Sequence, residues 1–177
     1  MIRSPVFVSV CLALALIAPL SSLSKTGSDR YDELSAWARQ DSDDYAQLVT
    51  QLNHARNAHE VALAMKENVR RQRVAMNTLL QFVQNHPDLR DAAQLGLDKE
   101  GQLIWRQKHP DRLNLPTEVQ VIQQEMTRRM NAADARVAMP IAAIFRKYHD
   151  DREFSHAADE LEKMWANNRE RLLQALR

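Results

Sequence analysis

Apolar side chains recur at helical spacing from Thr117 to His149, and this periodicity constrains the fold more than any other feature. Successive members are three or four residues apart, so they share one face of a helix. Pro116 and Thr117 supply a start signal, with Thr117 as the candidate N-cap. Pro140 should kink this helix rather than end it, because the pattern continues in phase beyond it. The apolar residues are Val119, Ile122, Met126, Met130, Ala133, Val137, Ile141, Ile144 and Tyr148.

Two further long segments carry an apolar stripe. The stripe in 42–85 is spaced closer to a heptad, and an unbroken helix there would be about 65 Å long. That length indicates an elongated hairpin or a coiled-coil partner, and the segment from Asn53 to Asn57 allows a break. The segment 152–176 forms a separate helix, because the turn His149-Asp150-Asp151 interrupts the phase. An aspartate of that turn should cap it.

Composition agrees with a purely helical chain. The sequence contains three glycines, and its Val, Ile and Thr residues never form alternating runs. We therefore predict an all-α fold: an elongated helical hairpin or a three- to four-helix bundle with long coiled-coil-like helices. One helical domain spans 42–177 and is preceded over 25–41 by a linker and a short helix, 29–40. Another short helix follows over 87–95, before a long connection over 96–116.

The first 24 residues have the pattern of an export signal. Arg3 is followed by an uncharged apolar stretch from Val6 to Leu20, and small residues allow cleavage after Ser24. The alternative is an uncleaved inner-membrane anchor, because the stretch is marginally long enough to span a bilayer. Either interpretation places the body of the protein outside the cytoplasm, which in a bacterium means the periplasm. Membrane contact is expected only if the signal stays uncleaved.

The mature chain would be free of thiols and electrically neutral. Its only cysteine, Cys11, lies inside the signal, which excludes disulfides, zinc–cysteine sites and cysteine nucleophiles. Removal of Arg3 with the signal leaves 23 basic and 23 acidic side chains. That balance argues against nucleic acid as a partner and against charge-driven membrane docking.

The strongest candidate for a metal site is Glu153 with His156, at the Glu-x-x-His spacing used in di-metal helix bundles. The chain has no second copy of that motif, and both residues lie largely off the apolar face of their helix. We interpret them as part of a solvated face and predict no metal, no cofactor and no catalytic residue. His59 lies within the apolar stripe of 42–85, which favours a core or interface residue over a ligand.

Two clusters are candidates for partner binding. Arg70, Arg71 and Arg73 lie close together on the long helix. They form either a charged face balanced by neighbouring carboxylates or a site for an acidic partner. Leu103, Ile104 and Trp105 lie between glycines and prolines in the long connection. They either plug one end of the bundle or form a hot spot for protein binding.

The segment Leu113 to Gln120 (LNLPTEVQ) resembles the Leu-Thr-x-x-Gln motif of the Spy/CpxP family of periplasmic chaperones and stress sensors. This resemblance covers eight of the 177 residues, and Pro116 stands between the leucine and the threonine. It implies a small, exported, all-α protein without cofactors that dimerises through long helices.

These features predict an exported, non-enzymatic protein that binds another protein. The leading expectation is an inhibitor or immunity-type protein for a toxin or cell-wall hydrolase. Small exported helical proteins without cofactors commonly have this role. The alternatives are a chaperone-like or stress-sensing protein and a metal-binding helical-bundle sensor or enzyme. Homodimerisation through the long helices is left open.

Overall fold

A computed structural model describes residues 29–112, 114–137 and 141–177. Every regular element within these ranges is helical, which confirms the all-α prediction. No helix in this part of the chain combines the length and apolar character that crossing a bilayer requires. The predicted export signal and Pro140 lie outside the described residues.

The first two helices form an antiparallel hairpin. Helix α1 is Asp29–His54 and helix α2 is Ala58–Asn85, so the chain does break where Asn53 to Asn57 allowed it. The α2 N-terminus is capped by Asn57, whose side chain accepts a hydrogen bond from the Glu60 N–H at 2.9 Å. The prediction of a separate short helix over 29–40 is wrong. Residues 29–54 form one continuous helix, within which Ser42 donates its hydroxyl to the Ala38 carbonyl at 2.6 Å.

The predicted long connection contains regular structure. Helix α3 spans Lys99–Lys108 and a short 3-10 turn spans Pro110–Arg112. The short helix predicted before it, over 87–95, is present as a 3-10 helix, Pro87–Gly96. The N-cap of α3 is Asp98, whose side chain accepts a hydrogen bond from the Gly101 N–H at 2.8 Å. The segment therefore folds as a compact helical cap.

The periodic segment after Thr117 is two helices. Helix α4 is Thr117–Asp134 and helix α5 is Ile141–Tyr148, so the prediction of one kinked helix is wrong. Packing decides the difference, because the chain turns after Asp134 and buries Ile144 across the hairpin end of the bundle. The capping prediction is also wrong: Thr117 is the first helical residue and Pro116 precedes it without a side-chain cap.

The last helix, α6, is Arg152–Ala175. Its N-cap is Asp151, whose carboxylate accepts a hydrogen bond from the Phe154 N–H at 2.9 Å. The predicted turn at 149–151 and its aspartate cap are thus confirmed.

The four long helices pack as a bundle. Helix α6 lies on α2 and helix α4 lies on α1. Cross-helix pairs such as Lys66–Glu153 and Asn77–Arg171 show that α6 runs parallel to α2. The pair Arg129–Asp43 and the pair Tyr45–Asp134 show the same relation between α4 and α1. The α3 region closes one end of the bundle and α5 closes the hairpin end.

The apolar core is divided into two clusters. The cap-side cluster surrounds Trp37, Phe82, Trp105 and Leu176, and the hairpin-side cluster surrounds Met65, Ile144, Phe154 and Leu161. Buried polar residues separate the two clusters on α1 and α6, and together with the buried Asn68 of α2 we call them the polar layer. They are Asp41, Ser42 and Asp44 on α1, Asn68 on α2 and Asn168 on α6.

Gly96 allows the cap to approach the bundle closely. A Cβ at this position would overlap the Leu79 side chain and press against Leu172. We expect Gly96→Ala to lower the free energy of unfolding by about 1–3 kcal/mol through overpacking. Urea unfolding measures the loss. The double variant Gly96→Ala/Leu79→Ala should lose less unfolding free energy than the two single variants added together, because truncating Leu79 relieves the overlap. Strict additivity would show that the two sites do not touch.

Candidate functional site

The predicted Leu103-Ile104-Trp105 cluster is split between surface and core. Leu103 is 58% exposed, Ile104 is half-buried and Trp105 is 1% exposed. The indole of Trp105 stacks against the His109 ring, with centroids 4.0 Å apart, and the Arg112 guanidinium lies 5.0 Å from its centre. Trp105 therefore plugs the capped end of the bundle, and only its two neighbours reach the surface.

The predicted arginine cluster is split in the same way. Arg71 turns inward, with its side chain 11% exposed and its Nε 3.8 Å from Asp44 Oδ1. Arg70 is exposed and forms a two-pronged pair with Glu67 on the same helix. Arg73 is exposed, and the described residues offer it no ion pair. The helical repeat of about 100° per residue causes this separation.

The buried polar groups of the polar layer are hydrogen-bonded only in part. Gln72 Nε2 donates to Asp41 Oδ1 at 2.8 Å, and Gln40 Nε2 donates to Asp44 Oδ1 at 3.0 Å. The Arg71 Nε is buried without a hydrogen-bond partner in the described part of the protein. Burial without full pairing costs stability, so this layer is energetically unfavourable for the bundle.

Asp41 shows the effect of this environment on an acidic group. Burial raises the pKa of Asp41 to about 6; the hydrogen bond from Gln72 opposes the increase, and the Asp44 charge adds to it. A carboxyl group with this pKa carries a proton in mildly acidic solution and loses it near neutrality.

The acidic segment 41–45 of α1 also holds α4. The Asp43 carboxylate accepts a hydrogen bond from Arg129 at 3.1 Å, and the Tyr45 hydroxyl donates to Asp134 at 2.6 Å. Asp41 and Asp44 face α2. Segment 41–45 therefore contacts both helices that pack on α1, α2 and α4, through polar groups.

Glu153 belongs to a cross-helix network rather than to a pair with His156. His59 Nδ1 lies 2.7 Å from Glu153 Oε2, and Lys66 donates to Oε1 at 3.0 Å. The hydrogen bonds from His59 and then from Lys66 hold the pKa of Glu153 below its usual value. Of the two alternatives for His59, the core residue is wrong, because its side chain is 63% exposed; the interface residue stays a prediction. His156 is exposed. Within the described ranges, no three His, Cys, Asp or Glu side chains are close enough together to bind a metal ion.

One exposed face of α2 combines apolar and basic side chains. Leu63 is 50% exposed and Val74 is 58% exposed. They are eleven residues apart, which places them on one line of the helix about 16 Å apart. Arg70 lies between them on that line, and Arg73 follows Arg70 by three residues and lies at the edge of the line. We call these four residues the α2 face.

Sequence reasoning identified the arginines of this face and missed its two apolar members. The spacing of Leu63, Arg70 and Val74 at i, i+7 and i+11 was available as a signal, because it marks one helical stripe. The buried carboxylates were also missed. Their signal was a run of polar residues, Asp41 to Asp44, interrupting an otherwise amphipathic helix.

The fold and these surfaces define an all-helical bundle with two packed ends and a polar layer between them. Comparison of the chain with protein-family models, with curated proteins and with solved structures finds no match.

Proposed function

We propose that this chain is an exported, non-enzymatic protein that acts by binding another protein through the α2 face. The observation that carries the proposal is the exposure of Leu63 and Val74 on a helix whose other large apolar side chains are mostly buried. Large exposed apolar side chains grouped with arginines are typical of protein-binding surfaces. The partner we propose first is a toxin or a cell-wall hydrolase that the protein inhibits.

The charge of the α2 face indicates what the partner should present. Arg73 has no ion pair among the described residues, and Arg70 is 69% exposed beside Glu67. Arg70 keeps the Glu67 carboxylate as its partner, but Arg73, if buried in an interface, would need a carboxylate from the other protein, and arginine is well suited to such pairs. The partner surface should therefore combine apolar residues with Asp or Glu.

The α2 face can be tested by a double substitution, Leu63→Asp/Val74→Asp. We expect affinity for the inhibited enzyme to fall about 30-fold or more, since placing two carboxylates against apolar contacts removes hot-spot interactions. Affinity is measured by calorimetry with the purified enzyme, and inhibition by its activity at increasing ratios of inhibitor. Both substituted positions are exposed, so the melting temperature should change little.

The matched control is Leu103→Asp, which changes an equally exposed leucine on α3. It should bind like the unmodified protein. Full binding by the α2 variant, or an equal loss in the Leu103 variant, contradicts the assignment of the α2 face. Unchanged hydrolase or toxin activity in a saturated complex contradicts inhibition while leaving the binding surface intact.

A chaperone-like function is the second candidate, and it rests on α4. This helix packs chiefly on α1, and its Ile122, Met126 and Met130 are half-buried. The LNLPTEVQ segment that resembles Spy/CpxP leads directly into this helix. A chaperone would suppress aggregation of unrelated unfolded proteins, and Met126→Asp would weaken that effect whereas Leu63→Asp would not.

A further inference from the structure

A polar cavity lies where the cap meets the first turns of α4. Its volume is about 390 Å³, within the range of small-molecule sites. Residues from the 3-10 helix 87–96, from α3, from the segment before Pro116 and from α4 all contribute to its wall. No residue of α2 lines this cavity, so it is distinct from the α2 face.

The wall is dominated by carboxamide groups. Three of them are held in place by hydrogen bonds from the amide nitrogen to backbone carbonyls: Gln94 to Asp91 at 3.0 Å, Gln102 to Leu97 at 3.1 Å and Gln120 to Leu115 at 2.8 Å. Gln94 is also 8% exposed, so its position is fixed by packing. A carboxamide anchored in this way still has a carbonyl oxygen and one N–H to offer. The complete set of carboxamides is Gln94, Gln102, Asn114, Gln120, Gln123 and Gln124.

Arg106 supplies the one charge among the residues that line the cavity. It is exposed, and the described residues give it no carboxylate partner. A guanidinium can bind a carboxylate through two parallel hydrogen bonds. The wall therefore offers one anion-binding group surrounded by groups that both donate and accept hydrogen bonds.

This chemistry narrows the class of ligand. The described lining includes no acidic side chain to hold a metal ion or an amine, and no aromatic ring on which a nucleobase could stack. A single cation is a poor match for a polyanion. Hydroxyl groups, which donate and accept together, match the carboxamides. We propose that this cavity binds an acidic saccharide, a sugar ring that carries one carboxylate.

The experiment compares D-glucuronate with D-glucose on the full chain, by titration followed with NMR or calorimetry. The two sugars share a ring and differ in the carboxylate. Glucuronate should bind about 10-fold or more tightly than glucose, because only the carboxylate adds charge-assisted hydrogen bonds to Arg106. Arg106→Gln should abolish that preference, and Gln123→Ala should weaken glucuronate binding several-fold without abolishing it.

Lys108→Gln is the matched control. Lys108 lies in the same last turn of α3 and carries the same charge, yet it does not line this cavity. Equal affinity for the two sugars, or equal losses in the Arg106 and Lys108 variants, overturns the proposal. Tighter binding of a short peptide with a free C-terminal carboxylate than of glucuronate assigns the cavity to peptides and also overturns it. None of these outcomes bears on the α2 face, whose variants leave Arg106 unchanged.

Discussion

Replacing Trp105 with alanine should lower the free energy of unfolding by about 3–5 kcal/mol. The indole is 1% exposed and belongs to the cap-side cluster together with Leu95 and Leu172. Truncation to alanine leaves a cavity under α3 and removes the contacts that the indole makes with the surrounding apolar side chains. Urea unfolding of the variant measures the loss, and Leu103→Ala serves as the control because that neighbouring side chain is 58% exposed.

The variant Trp105→Phe separates packing from hydrogen bonding at the same position. The indole Nε1 is buried without a partner in the described part of the protein, so phenylalanine removes an unsatisfied donor while keeping an aromatic ring. We expect Trp105→Phe to lie within about 2 kcal/mol of the unmodified protein. A small effect of Trp105→Ala on stability would contradict the role of the indole as a plug.

The substitution Asp41→Asn should stabilise the protein at neutral pH by about 2–3 kcal/mol. The pKa of Asp41 is about 6 in the folded protein, against an ordinary value of 3.8, and each unit of difference corresponds to about 1.4 kcal/mol. The folded state therefore binds the proton more tightly than the unfolded state. Stability from this group is fully present below pH 3.8 and is lost as the pH rises through 6.

The measurement is the difference in unfolding free energy between Asp41→Asn and the unmodified protein at pH 4.5 and at pH 7.5. The difference should grow with pH, because asparagine does not ionise. Other carboxylates with lowered pKa values, such as Glu125 and Glu153, occur in both proteins and cancel. Asp43→Asn is the control: its carboxylate is 65% exposed, so its effect should be small. An equal difference in unfolding free energy at both pH values would contradict the raised pKa of Asp41.

Local rules predicted the parts of the fold that depend on neighbouring residues. The cap at Asp151 and the break before Ala58 follow from turn and capping chemistry, and both are present. The division between α4 and α5 could not be obtained in this way. An apolar stripe that stays in phase is equally compatible with one helix or two, and only the burial of Ile144 against the hairpin-side cluster distinguishes them.

The candidate sites show the same limit. The helical repeat alone separates Arg71 from Arg70, so that split was predictable. The burial of Trp105 was not, because it depends on how the cap folds back on α6. Likewise, Asp41 and Asp44 look like surface residues until α2 is placed against α1, which requires the tertiary structure.

The start of α1 and the end of α6 lie at the same end of the bundle. Leu34 near the start of α1 and Leu176 after α6 belong to the same cluster, so both described ends of the chain emerge at the capped end of the bundle. Helix α1 has 26 residues and extends about 39 Å from there to the hairpin turn. If the apolar leader is retained as a membrane anchor, the cap would stand nearest the bilayer. The turn at Arg56 and Asn57 would then project about 39 Å into the surrounding compartment, with the α2 face displayed along that height.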